Sequence, residues 1–90
     1  MLKPFYTNQF NKDIEKVSKQ NRDIGLIKDI IRKLILQKTL DMKFKDHKLK
    51  GQYADHRECH IQPDWLLIYL IRHDSITFVR TGSHAELFKK

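Results

Sequence analysis

WLLIYLI, residues 65–71, puts seven apolar side chains in a row. Successive side chains of a strand point to opposite faces, so a run that is apolar at both parities needs cover on both faces. The run has the length of a strand, and turn-forming residues bound it: Gln62-Pro63-Asp64 before it and His73-Asp74-Ser75 after it. It predicts a central strand, Trp65 to Arg72, covered from both sides.

Two further strands flank it, about Ala54 to Ile61 and Ile76 to Thr81, and both alternate more clearly. Upstream, Leu2 to Tyr6 reads as an edge strand, a position that tolerates Pro4. Thr7 and Asn8 are N-cap types, and Phe10, Ile14 and Val17 then follow helical spacing to about Gln20, with Lys12, Lys16 and Lys19 off the stripe. Asp23 caps a second helix whose stripe is Ile24, Ile27, Ile31, Leu34 and Ile35. Residues 39–55, TLDMKFKDHKLKGQYAD, show neither period and predict a loop of about a dozen residues; loops that long in small domains are often functional. The fold class is α+β with order β-α-α-β-β-β: two N-terminal helices packed on a mostly antiparallel four-stranded sheet, in one domain over residues 1–90.

Ninety residues suffice for one core. Eighteen Lys and Arg against eleven Asp and Glu give a formal charge of +7, a field that favours nucleic acid, an acidic protein or an anionic membrane, unless the lysines only solubilise helix faces. No stretch of ~18 apolar residues exists, and MLKPFYTN lacks the apolar core of a signal peptide, so no membrane partner and a cytoplasmic address are expected. The single cysteine, Cys59, leaves no intrachain disulfide or multi-cysteine zinc site.

The densest polar chemistry is HRECHIQPDW, residues 56–65. On a strand, His56, Glu58 and His60 share one face and Arg57, Cys59 and Ile61 the other; the helices need the Cys59/Ile61 side. Cys59 and His60 therefore point apart, which disfavours a Cys-His nucleophile. His56 and His60 lie ~13 Å apart along a strand, too far for one metal, whereas a helix would bring them together. His47, His60, Asp64, Arg80, His84 and Phe88 remain as site candidates. Each has a plain reading too: solvent-facing histidines, a turn aspartate, an arginine paired with a carboxylate, and Trp65 or Phe88 as core.

KDHKLKG (45–51), RECHIQPDWLLIY (57–69) and RTGSHAELF (80–88) resemble, in order, the three motif blocks of YafQ-type toxins, bacterial mRNA interferases of the RelE/ParE superfamily. The resemblance spans essentially the whole chain. It implies the same architecture, cleavage of mRNA on the translating ribosome, and neutralisation by a cognate antitoxin. Motif by motif, it implies catalytic roles for His47, His60, Asp64 and His84, and substrate contacts from Arg80, Phe88 and Trp65, with no metal and no cofactor. Departures are Lys48 after the block's histidine, His56 where an aromatic is common, and two lysines past Phe88.

Metal-free RNA cleavage needs a base for the 2′-hydroxyl, charge stabilisation at phosphorus and an acid for the 5′-oxygen. Histidine suits both proton transfers and arginine the phosphate. The expected division is His84 as acid, Arg80 as phosphate clamp, Asp64 with His60 on the base side, His47 assisting and Phe88 stacking on a base. The alternative is a ParE-like, non-catalytic toxin that binds DNA gyrase, which would not need a histidine-rich rim.

Overall fold

The computed structural model describes residues 1–88; Lys89 and Lys90, the two lysines past Phe88, lie outside the described residues. In chain order the elements are β1 (Lys3–Tyr6), α1 (Asn8–Lys19), α2 (Ile24–Ile35), β2 (His47–Lys48), β3 (Arg57–Gln62), β4 (Trp65–Arg72), β5 (Ser75–Gly82) and α3 (His84–Phe88). Short 3-10 turns occupy Met42–Phe44 and Gly51–Tyr53. The sheet order is β1-β5-β4-β3-β2, with β1 parallel to β5 and the other pairs antiparallel.

The α+β class and the two helices on one face follow the expectation, but the sheet has five strands, not four. The additional strand, β2, is two residues inside the charged tract, and its pairing is tertiary: His47 faces Glu58 and Lys48 faces Arg57. A two-residue strand leaves no period to read. β3 also starts three residues later than Ala54, because Gly51–Tyr53 winds into a 3-10 turn and Asp55 takes a left-handed φ of 71°. The five residues of α3 were expected only as a tail; one turn of helix is too short for periodicity to declare it.

Local chemistry starts the helices where the sequence places their caps. Thr7 Oγ1 accepts from Phe10 N at 2.9 Å and Asp23 Oδ1 from Gly25 N at 2.9 Å, each satisfying an N-terminal amide. Phe10, Val17, Ile27, Ile30 and Leu34 then pack on Cys59, Ile61, Trp65, Leu67, Tyr69, Ile76 and Phe78. Leu66 and Ile68, the other parity of β4, are equally inaccessible on the second face, where Leu87 of α3 covers them. The apolar run at 65–69 is thus buried on both sides, as its sequence requires.

β1 covers only the first half of β5, pairing Lys3–Tyr6 with residues 75–78. Beyond it α1 seals the edge with side chains: Thr7 Oγ1 donates to Val79 O at 2.8 Å, and Asp13 Oδ2 accepts from Thr81 N at 3.1 Å. The strand end that leads into α3 is thereby tied to the first helix.

Candidate active site

The sheet face turned away from α1 and α2 holds the patch Leu66, Ile68 and Leu87, bordered by Leu49, Tyr53, Val79 and Phe88. Side chains follow one another around it. Ring centroids step 6.1 Å from His47 to His60, 5.7 Å to His84, 6.3 Å to Phe88, 6.0 Å to Tyr53 and 5.6 Å to His56. Alternation along β3 explains the placement: Glu58 and His60 pair with Ile68 and Leu66 on this face, while Cys59 and Ile61 join the helix-side core. Burial pushes the Cys59 thiol up to about 12, which leaves it an inert packing group.

His47, His60 and Glu58 form one cluster. The His47 and His60 Nε2 atoms lie 3.3 and 3.5 Å from the same Glu58 Oε2, and the Glu58 side chain is only 5% exposed. Its Oε1 is buried without a hydrogen-bond partner among the described residues. His47 Nδ1 is 2.6 Å from the Lys45 carbonyl, which only accepts, so Nδ1 carries a proton and Nε2 is the atom through which His47 exchanges one. The donor atoms of His47, Glu58 and His60 lie within 4.8 Å of one another, an arrangement that can hold a metal ion. Strand spacing keeps His56 and His60 apart, but the tertiary fold brings His47 beside His60 instead.

Asp64 and His84 form a second unit. Asp64 Oδ1, in the turn between β3 and β4, accepts from the His84 backbone N–H at 3.1 Å and lies 3.1 Å from His84 Nδ1. Those bonds, the backbone one first, hold the Asp64 carboxyl below its usual range. With Nδ1 directed at Asp64, His84 presents Nε2 to the site. Asp64 therefore partners His84 rather than His60, and the acid beside His60 is Glu58. Sequence reasoning had Glu58 on the correct face, between His56 and His60, and gave it no role; an acid flanked by histidines at period two was the signal available.

Arg80 faces the same side, directly across Ile68 from Glu58 in the strand register. Its guanidinium is not free: Nε and Nη2 fork onto Asp13 at 2.7 and 3.2 Å. That bond, aided by the Tyr53 hydroxyl, raises its pKa despite partial burial. Two of its five donors are spent on Asp13, which leaves the others for a further partner.

Trp65 requires a correction. It was expected to touch substrate, but its ring is fully buried on the helix side, with Nε1 donating to Thr81 Oγ1 at 2.9 Å. The Arg22 guanidinium lies 5.5 Å over the ring. Trp65 has the parity opposite to Leu66, so it belongs to the core and has no surface to offer a base.

Two anchors hold the outlying histidines. Along the stretch entering β2, Asp46 has the parity opposite to His47 and turns toward the core, where it accepts from the Tyr69 hydroxyl. Arg57 Nη2 lies 3.3 Å from the same carboxylate. Tyr69→Phe removes one hydrogen bond to a partly buried carboxylate and should cost about 1.5–3 kcal/mol. We expect the His47 ring resonances to broaden in that variant; unchanged line widths would show that the loop does not depend on this anchor.

At α3, Ser83 and Glu86 cap reciprocally: Ser83 N donates to Glu86 Oε1 at 2.8 Å and Glu86 N to Ser83 Oγ at 3.2 Å. Lys16 of α1 reaches Glu86 Oε2 at 2.8 Å. The Lys16 bond, then the Ser83 amide, hold the Glu86 carboxyl down at about 2 from an ordinary 4.5. A depressed acid stabilises the folded state fully above its unfolded pKa and loses that contribution as pH falls toward the folded one. The docking of α3 should therefore be intact above pH 4.5 and weaken toward pH 2, read from α3 amide shifts against pH. Flat shifts across that window would remove Glu86 as the anchor.

With this geometry in place, comparison with known proteins identifies the chain. Residues 2–89 match the family described as a bacterial toxin of type II toxin-antitoxin system, YafQ. The mRNA interferase toxin YafQ of Escherichia coli (strain K12) is 36% identical over 85 residues, covering 92% of this chain and 91% of that protein. The E. coli DinJ-YafQ complex superposes with a TM-score of 0.91 at 35% identity, covering 98% of this chain and 99% of that one. A metal-bound toxin from Helicobacter pylori does so at 0.91 and 40% identity, covering 98% and 100%. The match puts the chain in the class of bacterial type II toxins. Within that class it belongs to the YafQ family.

Proposed function

We propose that this chain is an endoribonuclease that cleaves mRNA on the ribosome, in the cytoplasm, by metal-independent acid/base catalysis, and that a cognate antitoxin restrains it. The E. coli relative named an mRNA interferase and the DinJ-YafQ complex support the substrate and the partner. The observation that carries the chemistry is the pair of imidazole–carboxylate units, Asp64–His84 and Glu58–His60, with the two rings 5.7 Å apart. A non-catalytic gyrase ligand has no use for two such units.

Asp64 holds His84 Nδ1 away from substrate, so Nε2 is the proton donor for the departing 5′-oxygen. Glu58 directs His60 Nε2 inward, which leaves Nδ1 to take the 2′-hydroxyl proton. The same carboxylate balances the charge His60 gains. His47, sharing Oε2, supports that side, and the free donors of Arg80 meet the phosphate oxygens. Phe88, half-buried beside His84, offers a ring face for an unpaired base.

His47, Glu58 and His60 fit a metal ion as well, given the orphaned Glu58 oxygen and the metal-bound H. pylori relative. A bound cation would supply Lewis acidity at the phosphate. Ligation through His60 Nε2 would leave the ring proton on Nδ1, the atom that must accept the 2′-hydroxyl proton, so metal binding and acid/base catalysis exclude each other at this cluster.

The test is incubation of the purified protein with mRNA, with and without ribosomes, with chelator or added Zn²⁺. Cleavage should survive chelator, fall with Zn²⁺ and be strongest with ribosomes. Loss of cleavage in chelator would overturn metal independence, and no cleavage in any arm would overturn the nuclease reading. Binding should also weaken steeply with salt, because the formal charge of +7 meets a polyanion.

A further inference from the structure

Beside His60, on the side away from the sheet centre, lies an open pocket of about 510 Å³. It exists because β2 pairs with only two residues of β3 and leaves the outer edge of His60 to Gln62 unpaired by a strand. The loop at Met42–Phe44 arches over that edge instead. The volume falls within the ~300–1,000 Å³ typical of small-ligand sites.

The lining is mixed in a particular way. Phe44 and Pro63, with Leu26 of α2 and Ile61 on the helix side, give apolar walls, Gln62 an exposed side-chain amide, and Lys43 and Lys45 a cationic rim, with His60 at the junction with the histidine row. The Lys43 ammonium already sits 5.2 Å over the Phe44 ring. An amide that both donates and accepts suits the edge of a base, an aromatic wall suits its face, and lysines suit flanking phosphates.

Lys45 supplies a second, independent observation. It is a non-glycine residue at φ 49°, ψ 44°, a left-handed conformation that a lysine adopts at a cost. The chain reversal it makes carries Lys43 and Lys45 to the pocket rim, and its carbonyl receives His47 Nδ1 at 2.6 Å. One strained residue thus joins the pocket to the histidine cluster.

We infer that this pocket receives one nucleobase of the RNA, next to the scissile phosphate and on the opposite side of the His60–His84 pair from Phe88, and that Gln62 reads it. The inference rests on the nuclease reading above and adds where base preference is set. A single strand crossing the row would place its reacting phosphate between the two imidazoles, one neighbouring base against Phe88 and the other in the pocket.

The experiment has two arms. In the first, the four nucleoside 5′-monophosphates are titrated into the protein and followed by NMR. Shifts are expected at Phe44 and Gln62, with one base bound at least ~5-fold better than the weakest, a preference that Gln62→Ala abolishes. Lys43→Ala should weaken all four alike. In the second, cleavage positions on mRNA are mapped for wild type and Gln62→Ala; the nucleotide frequencies beside the cut should flatten in the variant. Both substituted side chains are exposed, so neither change opens the core.

Nucleotide shifts confined to Phe88 and Tyr53, or cleavage positions identical in the two proteins, would overturn the pocket's role while leaving the nuclease intact. So would a Gln62→Ala variant that binds antitoxin more weakly and cuts as wild type does, because the pocket would then be a protein contact. If wild type cuts no RNA but base-selective shifts appear in the pocket, the nuclease reading fails and the nucleotide site stands.

Discussion

His84→Ala should reduce mRNA cleavage by about 10²–10⁴-fold, the range a positioned general acid contributes. The side chain is half-exposed, and in the structure its imidazole contacts Asp64, His60 and Phe88 rather than the core, so folding and antitoxin binding should be preserved. Asp64→Asn is the companion variant. It keeps an oxygen for the His84 amide but removes the charge that faces Nδ1, so its loss should be smaller. Full cleavage by His84→Ala at matched folding would end the assignment of the acid.

Glu58→Gln should separate activity from stability. Glu58 is a buried carboxylate with one oxygen facing two imidazoles and the other without a hydrogen-bond partner, an arrangement that a fold selected for stability alone would not keep. The isosteric amide relieves the buried charge, so Tm should rise. Cleavage should drop by at least ~10²-fold, because a carboxylate orienting a catalytic imidazole is worth up to ~10⁴-fold in hydrolase triads. If Tm and cleavage fell together, Glu58 would be a structural residue that happens to touch two histidines. Thermal melts and single-turnover cleavage on the same preparation decide it.

The parts of this molecule legible in its sequence are those with a period. WLLIYLI announced a strand buried on both faces, Phe10/Ile14/Val17 and Ile24/Ile27/Ile31/Leu34 announced two helices, and alternation put Glu58 and His60 on one face with Cys59 on the other. Motif resemblance gathered His47, His60, Asp64 and His84, and the fold does bring these four to one rim. Which acid serves which histidine was not legible, since that depends on how far the β3–β4 turn reaches toward α3. Nor was β2, whose two residues are held by register with β3 and by the partly buried Asp46–Tyr69 bond. Trp65 was misplaced for a simpler reason: adjacency to Asp64 in sequence suggested adjacency in space, and pleat parity sends the two apart.

The brevity of β2 also separates two kinds of thermal behaviour. Two ladder pairs and the contacts of Asp46 with Tyr69 and Arg57 hold His47, whereas β4 is paired on both edges from Leu66 to Tyr69 and lies at the centre of the sheet. Sub-global opening of the 46–48 segment therefore requires far less free energy than unfolding the domain, and its amides should exchange with deuterium well before those of β4. On warming, the histidine cluster should come apart while circular dichroism still reports a native protein. The temperature at which the proposed cleavage ceases should therefore be set by the shortest strand rather than by the core.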